Sequence, residues 1–529
     1  MSFDVVICGG TVFDGLGGEP RLADVGVTGG RIAAIAPGLD GMEAGRTLDA
    51  AGLAVAPGFI DIHAHGDVYP LVAPEAPARL HDGVTTEILG NCGESPFPQS
   101  QAMLAARSES VERHGVAVDW ATLDDYAARH DALGCGINRG SLVGHGNVRI
   151  AVMGEQDRPP TDGELAAMSR HVEEAIEAGA FGISTGLIYA PGMYAQPREI
   201  EALCAVAARF DALYASHIRS ESGGVLEALD EFLDVGRRTG VRLQHSHAKV
   251  SGRAHWDKVE AAIARLEAAQ AEGIDVACDR YPYTASWTSL TAFLPGWARE
   301  CGREEMLGRL ADPEACERVL DWLRGREHGA PWTALVVASA GCDAWRHAEG
   351  RSLADVAAET GMEPATLAVE LLKASDGRTS VMLFAMSDEN LVQWLSLPYV
   401  AIGSDSSSRS AEGRTAEGKP HPRSYGTSAR FLGRYVREKA LMELSEGIRR
   451  LTSLPASRLG LRRRGVLEAG AYADITVFDP DAIVDRATYE HPQQYSAGVR
   501  HVLVNGAAAL ADGELTGARS GRFLRRGQE

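Results

Sequence analysis

The 529-residue sequence has no excess of basic residues and no uninterrupted run of about 18 apolar residues. Its formal net charge of −20 would repel phosphate backbones and anionic lipid surfaces. We therefore expect no nucleic-acid partner and no membrane. The amino-terminal Met-Ser-Phe-Asp-Val-Val also lacks a basic segment followed by an apolar run, which predicts a protein that is not exported and stays in the cytoplasm.

The eight cysteines are scattered and include no Cys-x-x-Cys pair, which argues against a disulfide framework and a zinc ribbon. The sequence is 45% hydrophobic and 23% charged, values typical of an ordered globular chain rather than a disordered one. The length suits one large α/β barrel with a smaller second domain.

Short strands separated by glycine-rich turns characterise both ends of the sequence. This pattern of short strand-like runs occurs in residues 3–50, and again in residues 472–479 and 499–506. We predict that residues 1–56 and 465–529 pair into one small β-sandwich domain.

Between these ends, strand-like runs alternate with helical segments, as in a parallel (β/α)8 barrel. The pattern predicts helices over 162–178, 225–239 and 257–272, and a TIM-like barrel over residues 57–464. A doubly wound open sheet remains an alternative. The eight predicted strands end near His65, Gly90, His145, Gly186, His217, Lys249, Tyr281 and Asp405.

Two further strand-like runs, 333–340 and 380–385, bring the number of candidate strands to ten, which is two more than an eight-stranded barrel can hold. The sequence from about residue 286 begins rich in Trp and Pro and loses the alternation of strand and helix. We predict an insertion subdomain over residues 286–351, near the mouth of the barrel.

The first predicted strand leads directly into two histidines, His63 and His65. Side chains alternate along a strand, so the two imidazoles point the same way and can share a metal ion. Asp61 is expected on that same face.

Other candidate ligands follow later strands, at the end where a parallel barrel builds its active site. Cys92 follows the second strand and His217 ends the fifth. His245, His247 and Lys249 are expected on one face of the sixth strand by the period of two. Read alone, Cys92 could be a small buried apolar residue.

Asp405 ends a later apolar strand, where a barrel enzyme would carry a catalytic carboxylate, although an N-cap is the alternative. Imidazoles, a thiolate and a carboxylate together suit zinc. Zinc with an open position activates water and polarises a carbonyl, which predicts amide hydrolysis with Asp405 as the proton carrier.

Eight motifs carry a resemblance to the N-acyl-D-amino acid deacylases, or D-aminoacylases, of the amidohydrolase superfamily. They extend over most of the chain. The motifs are residues 57–65, 90–93, 184–192, 216–219, 246–249, 281–283, 403–405 and 421–423.

The resemblance implies that Cys92, His217 and His247 hold a tightly bound zinc. It implies a weaker second site at His63, His65 and Asp405. It further implies that His247 rather than His245 is the ligand on the sixth strand. The residues that it implies for substrate contact are Lys249, Arg423, Tyr189, Tyr281 and Tyr283.

The implied substrate is an N-acyl-D-amino acid, cleaved to a carboxylate and a free D-amino acid. Arg423 suits such a small molecule because a guanidinium can bind a free carboxylate through two parallel hydrogen bonds.

Three other functions are alternatives to deacylation. The first is hydrolysis of another amide or of a cyclic amide, as in dihydroorotases and hydantoinases. The second is a serine hydrolase, since residues 182–186 fit Gly-x-Ser-x-Gly with Ser184 as the nucleophile. The third is a metal-binding scaffold without activity.

Overall fold

Eight parallel strands form the centre of the computed structural model, which describes residues 2–66, 68–101, 103, 115–325 and 331–528. Each strand pairs in parallel with the next along the chain. The third strand is interrupted at one residue. The strands are Phe59–Asp61, Val84–Leu89, Asn138–Ser141 with Val143–Gly144, Gly182–Gly186, Leu213–His217, Arg242–His245, Val276–Arg280 and Val400–Ile402.

The eighth strand meets the first and closes the barrel. The Asp405 amide donates a hydrogen bond to the carbonyl oxygen of His63 at 2.7 Å. Just beyond it, Ser406–Ser407 pairs in parallel with Ala64–His65. The predicted barrel is therefore confirmed, and an open doubly wound sheet is excluded.

Helices cover the barrel because their apolar residues recur on one face. In Val225–Thr239 the buried Val225, Leu229, Phe232 and Leu233 fall on one stripe, and the helix ends at Gly240 in the left-handed region, at φ 70°. The predicted helix over 162–178 is observed as Asp162–Glu177. The one predicted over 257–272 is observed as Val259–Ala271.

The helices of the described chain differ widely in length. The α-helices are Tyr69–Val72, Pro77–His81, Leu123–Leu133, His145–Met153, Asp162–Glu177, Pro197–Arg209, Val225–Thr239, Val259–Ala271, Gly296–Arg299, Arg303–Ala311, Pro313–Arg324, Leu353–Thr360, Pro364–Ala374, Asp388–Ser396, Arg423–Arg430, Leu444–Leu451 and Ser453–Leu459. The 3₁₀ turns are Gly192–Tyr194, Arg253–Lys258, Leu290–Phe293, Trp332–Ala334, Asp343–Ala348 and Arg414–Ala416, and Phe431–Glu438 is a π-helix. Among the described residues, none of these helices has the length and apolar character needed to cross a membrane.

Strands from both ends of the chain form one nine-stranded sheet. The two ends meet where Ile475–Phe478 pairs antiparallel with Ala54–Pro57. Eight strands follow one another in the order Glu514–Leu515, Ala507–Ala511, Val499–Val504, Ile475–Phe478, Ala54–Pro57, Phe3–Val12, Arg21–Thr28 and Arg31–Ala36, and Ala44–Asp49 pairs with Phe3–Val12.

The last residues of the chain leave this sheet and return to the barrel. The Leu524 amide donates to the carbonyl oxygen of Arg139, on the third barrel strand. The Arg139 amide donates to Arg522 at 2.9 Å. The predicted sandwich segment 465–529 thus includes residues that pack against the barrel.

The insertion has a three-stranded antiparallel sheet and its own apolar core. Ser380–Leu383 is the central strand, between Ser286–Ser289 and Leu335–Ser339. Side chains such as Leu310, Val319 and Leu371 are buried against this sheet. The insertion therefore extends beyond the predicted end at residue 351, because the two surplus strand-like runs pair with each other rather than with the barrel.

Candidate metal centre and active site

His63 and His65 lie at the carboxyl end of the first barrel strand in different surroundings. His63 is fully buried, whereas the side chain of His65 is 25% exposed. His63 Nδ1 lies 2.8 Å from Asp279 Oδ1, and its Nε2 lies 3.4 Å from Cys92 Sγ. Asp279 accepts the Nδ1 proton, which leaves Nε2 available to a metal.

Asp61, which we expected on the same face, does not join these residues. Its carboxylate accepts a hydrogen bond from the Ser404 amide at 2.8 Å and lies 3.3 Å from Arg79 Nη1. Asp61 therefore fixes the loop that precedes Asp405 instead of offering a ligand.

Cys92 lies at the centre of the site. It follows the second strand in the left-handed region, at φ 52°, and its Sγ lies 3.4 Å from both His63 Nε2 and His247 Nε2. Burial would raise the pKa of the thiol, but the neighbouring His247 and His63 rings outweigh it and hold the pKa well below its usual range. Cys92 is thus a thiolate ligand candidate rather than an apolar core residue.

His217 ends the fifth strand with its ring buried. Within the described part of the chain, neither ring nitrogen has a hydrogen-bond partner, and the nearest carboxylate oxygen, Glu221 Oε2, is 3.4 Å from Nε2. Burial would lower the pKa of this imidazole, but the charges of Glu221 and Cys92 raise it to about 9. A metal ion would satisfy one of these two buried ring nitrogens.

The prediction that His245, His247 and Lys249 lie on one face of the sixth strand is wrong. The sixth strand ends at His245, and His247 has a φ of 38° because its amide turns to donate to Asp279 Oδ1 at 2.8 Å. His245 points the other way, with its ring centroid 6.2 Å from that of Trp394. Burial lowers the pKa of His245 to about 3, so it stays neutral.

Asp405 connects the metal centre with a guanidinium group. Its Oδ1 lies 2.9 Å from His65 Nε2 and 3.6 Å from His63 Nε2, and its Oδ2 lies 2.8 Å from Arg423 Nη1. Burial would raise the carboxyl pKa, but Arg423 and the surrounding histidines hold it well below its usual range. Asp405 is therefore ionised and able to accept a proton from a neighbouring group.

Two carboxylates that contact these residues, Asp279 and Glu221, belong to none of the motifs in the sequence. Asp279 holds His63 and the His247 backbone, and Gln244 donates to its second oxygen at 2.9 Å. Glu221 Oε1 lies 3.0 Å from His247 Nδ1 and accepts a hydrogen bond from Lys249. Asp279 could have been noticed as a polar residue near the end of an apolar strand, and Glu221 as an acid four residues after a candidate ligand.

Among the residues that the structure describes, two groups of side chains are close enough to hold metal ions. In each group the potential ligand atoms lie within 4.8 Å of one another, and His247 belongs to both. His65 reaches the first group through Asp405. The groups are His63, Cys92, His247 and Asp405, and His217, Glu221 and His247. Nitrogen, sulfur and carboxylate oxygen donors in this number fit zinc.

A cavity of about 980 Å³ opens above these residues, between the barrel mouth and the insertion. Lys249, Tyr189 and Arg423 line it, as a substrate-contacting role requires. The Tyr189 ring centroid lies 5.3 Å from that of His217, and its hydroxyl is 3.1 Å from Thr288 Oγ1 of the insertion.

Tyr281 and Tyr283 lie behind the cavity wall. Arg423 stacks over the Tyr281 ring at 4.5 Å, so Tyr281 supports the guanidinium from below. Tyr283 donates its hydroxyl proton to the Gly426 carbonyl at 3.2 Å and is buried. In this structure neither ring is among the residues that line the cavity.

Ser184 is not placed as a nucleophile. It lies inside the strand Gly182–Gly186, fully buried, where its hydroxyl donates to the Gly90 carbonyl and accepts from the Gly93 amide at 3.0 Å. The strand leads into a turn, and the next α-helix begins at Pro197. A nucleophile elbow requires a strand that turns directly into a helix.

Comparison with known proteins gives matches along the whole chain. The model of the amidohydrolase family matches residues 46–509. An N-acyl-D-glutamate deacylase from Alcaligenes xylosoxydans xylosoxydans is 39% identical, over 99% of this chain and 96% of that protein. A D-aminoacylase from the same organism is 35% identical, over 99% of this chain and 98% of that protein.

A solved structure shares the fold. The N-acyl-D-glutamate deacylase of Bordetella bronchiseptica superposes with a TM-score of 0.84 at 36% identity, covering 99% of this chain and 100% of that one. That protein was crystallised with zinc and a phosphonate inhibitor that mimics the tetrahedral intermediate of its reaction.

Proposed function

Because the chain belongs to the amidohydrolase family, whose members are metal-dependent hydrolases, we propose that it cleaves the amide bond of N-acyl-D-amino acids. The products are a carboxylate and a free D-amino acid. The single observation that carries the proposal is the position of Cys92 Sγ, 3.4 Å from Nε2 of both His63 and His247. A thiolate so placed can contribute to two adjacent metal positions.

The ligand set supports zinc as the metal. Cys92, His217 and His247 would hold one tightly bound ion, and His63, His65 and Asp405 would form a second, weaker position. In the described part of the chain the buried ring nitrogens of His217 make no hydrogen bond within the usual geometry, and only Nε2 has a carboxylate nearby, which supports its role as a ligand. When bound, zinc would lower the pKa of a water molecule to about 7 and polarise the substrate carbonyl.

Asp405 would carry the proton of the reaction. Its Oδ1 faces His65 and His63, and its low pKa keeps it ionised before the attack. The carboxylate would accept a proton from the attacking water and then donate it to the leaving nitrogen. Arg423, 2.8 Å from Oδ2, would hold the carboxylate in the orientation that both transfers require.

Arg423 and Lys249 would bind the free α-carboxylate of the substrate. Both line the cavity, and both lie in contact with acidic residues of the site, Asp405 and Glu221 respectively. They supply local positive charge in a protein whose net charge is −20. Tyr189 would close the opposite wall, since its ring lies beside His217.

The proposal is tested by a hydrolysis panel with zinc quantified in the same preparation. N-acetyl-D- and N-acetyl-L-amino acids are assayed beside dihydroorotate and hydantoins. Hydrolysis of the D-derivatives above all others is expected, with loss of activity on chelation and its return on adding zinc. Turnover of the cyclic amides alone would favour a cyclic amidase, and no turnover of any compound by zinc-loaded protein would favour an inactive scaffold.

A further inference from the structure

Asp405 lies in a backbone turn, residues 404–406, that neighbouring side chains hold in place. Its φ is 50°, in the left-handed region that residues other than glycine rarely adopt. The residue before it, Ser404, donates its amide hydrogen to Asp61 Oδ1 at 2.8 Å. The residue after it, Ser406, accepts a hydrogen bond on its carbonyl oxygen from Arg79 Nη2 at 2.8 Å. The turn is therefore fixed on both sides of the proposed proton carrier.

Arg79 reaches this turn from the helix Pro77–His81, and its side chain is buried. Each of its three nitrogens has a separate partner. Nη1 lies 3.3 Å from Asp61 Oδ2, and Nε lies 2.9 Å from Glu87 Oε2. Nη2 is the donor to the turn. One rigid, planar guanidinium thus contacts both the carbonyl of the turn and the carboxylate that binds its amide.

A second ion pair keeps this guanidinium in place. Glu87 Oε1, on the second barrel strand, lies 2.6 Å from Arg139 Nε on the third strand, and both side chains are fully buried. Burial would raise the carboxyl pKa of Glu87, but Arg139 and Arg79 outweigh it and hold the pKa below its usual value. A buried ion network of alternating charge therefore runs from Arg139 through Glu87 and Arg79 to Asp61.

Stability alone does not account for such a network. Packed apolar residues in place of a buried ion pair are often neutral for stability or stabilising. They could not, however, direct a donor at the Ser406 carbonyl or orient the Asp61 carboxylate. Arg79 is also absent from the cavity wall, so among its observed contacts the turn is the one that adjoins the metal centre.

We propose that Arg79, together with Asp61, is a positioning residue for the hydrolysis, because it fixes the turn so that the Asp405 carboxylate faces the metal centre in the orientation that proton transfer requires. The inference rests on the proposed function, since it concerns the same proton carrier. A misplacement of about 1 Å can cost a hundredfold in rate. Loss of this support should lower kcat and leave KM and the tightly bound zinc close to wild type.

Arg79→Lys is the principal test, because lysine keeps the positive charge between Asp61 and Glu87 but offers one nitrogen in place of three. With the best N-acetyl-D-amino acid of the hydrolysis panel, kcat should fall about tenfold to a hundredfold at unchanged KM and zinc content. In an Asp405→Asn background the same substitution should change kcat little, because both act through one carboxylate.

Arg139→Lys is the matched control. Arg139 is equally buried and belongs to the same network, but its side chain pairs with Glu87 and does not contact the turn. This variant should unfold at a lower temperature, as Arg79→Lys does, and keep the wild-type kcat.

Ser404→Ala is a milder test that leaves every charge of the network in place. It removes the hydroxyl that donates to Asp61 Oδ2, and a smaller loss of kcat at unchanged zinc content is expected. If Arg79→Lys does not fold, this variant alone decides, and wild-type kcat in it would overturn the proposal.

Equal losses of kcat in Arg79→Lys and Arg139→Lys would also overturn it, since the network would then only support the barrel. An undiminished loss in the Asp405→Asn background would do the same. In each of these cases hydrolysis of N-acyl-D-amino acids by the wild-type protein would leave the proposed function standing, whereas no hydrolysis by zinc-loaded wild type would remove both.

Discussion

Asp405 is the single residue of the described chain whose carboxylate contacts both a histidine of the candidate metal centre and an arginine of the cavity. It lies 2.9 Å from His65 Nε2 on one side and 2.8 Å from Arg423 Nη1 on the other. In Asp405→Asn we expect kcat to fall by about two to four orders of magnitude, since the amide cannot accept the proton. Tightly bound zinc should remain, because the proposed ligands of that ion are Cys92, His217 and His247.

Steady-state kinetics with zinc quantified by elemental analysis checks this expectation. A variant that keeps wild-type kcat would contradict the proton-carrier role. A variant that loses all zinc would show instead that Asp405 belongs to the tight site.

Glu221 lies outside every motif found in the sequence, although it contacts two of the candidate metal ligands. Its carboxylate lies 3.0 Å from His247 Nδ1 and 3.4 Å from His217 Nε2, and it also accepts a hydrogen bond from Lys249. Carboxylates that hold metal-binding histidines typically affect metal affinity tenfold to a hundredfold. We expect a loss of about that size in Glu221→Gln, because the amide offers one acceptor oxygen in place of two.

Competition with a chromogenic chelator measures this zinc affinity directly, independently of turnover. Glu231→Gln is the matched control, since Glu231 pairs with Arg219 away from the two ligand groups. Equal zinc affinity in Glu221→Gln and wild type would show that the carboxylate acts on Lys249 alone.

The candidate metal ligands could largely be predicted because each one lies at or just after the end of an apolar strand. His63, Cys92, His217, His247 and Asp405 were all found this way, and the structure brings them together at one rim of the barrel. The orientation of His247 could not be predicted. It depends on a backbone hydrogen bond to Asp279, which is distant in sequence, and a residue at φ 38° leaves the period of two.

At the scale of elements, the loop that carries Cys92 rests on the end of the fourth strand. A Cβ added at Gly186 would lie 2.1 Å from the carbonyl oxygen of Cys92 and 2.9 Å from Tyr189 Cδ2. In Gly186→Ala the Cys92 loop must therefore move. We expect a destabilisation of about 1–3 kcal/mol, as for other overpacked sites, together with weaker zinc binding although no ligand is changed.

Thermal unfolding and chelator competition measure the two effects separately. Gly163→Ala is the control, because its Cβ would meet nothing within 4 Å and the residue lies in the helix Asp162–Glu177. That variant should be as stable as wild type or slightly more so, since alanine favours helix. Unchanged zinc affinity in Gly186→Ala would mean that the loop adapts without moving Sγ.

The elements of the barrel were more predictable than those of the insertion. Barrel helices carry an apolar stripe at helical spacing, and barrel strands alternate with them, so local sequence suffices. The insertion is held by Ser380–Leu383, which pairs with strands on both sides. Local sequence indicates that such a run is a strand but not which strands it will join.

At the scale of the whole molecule, a strongly acidic protein concentrates basic and imidazole groups around one cavity. The net charge is −20, yet Lys249, Arg299 and Arg423 all line the space above the metal centre. Composition alone implies that an anionic substrate needs a locally basic pocket. It could not predict which arginines form it, because Arg299 arrives from the insertion and Arg423 from a helix of the barrel.

The stability of the whole molecule should fall in acid, in part because it buries neutral histidine. His421 donates from Nε2 to the Ala285 carbonyl at 2.9 Å and accepts the Arg423 amide proton on Nδ1 at 3.0 Å. Burial, reinforced by Arg423, holds its pKa well below the usual value. Between about pH 6.5 and that lower pKa, the unfolded chain binds a proton that the folded chain does not, so stability is lost as pH falls.

The contribution of one such histidine is at most about 1.4 kcal/mol per pH unit within that interval. We therefore expect His421→Gln to lose less unfolding free energy than wild type between pH 7.5 and 5.5, because glutamine cannot be protonated there and can still donate and accept. Denaturant titrations at several pH values, at equal zinc loading, measure the difference. His171→Gln is the control, because His171 lies on the helix Asp162–Glu177 and its side chain is 37% exposed. In that variant the unfolding free energy should depend on pH as it does in wild type. If His421→Gln also shows the wild-type pH dependence, other buried groups control the acid response.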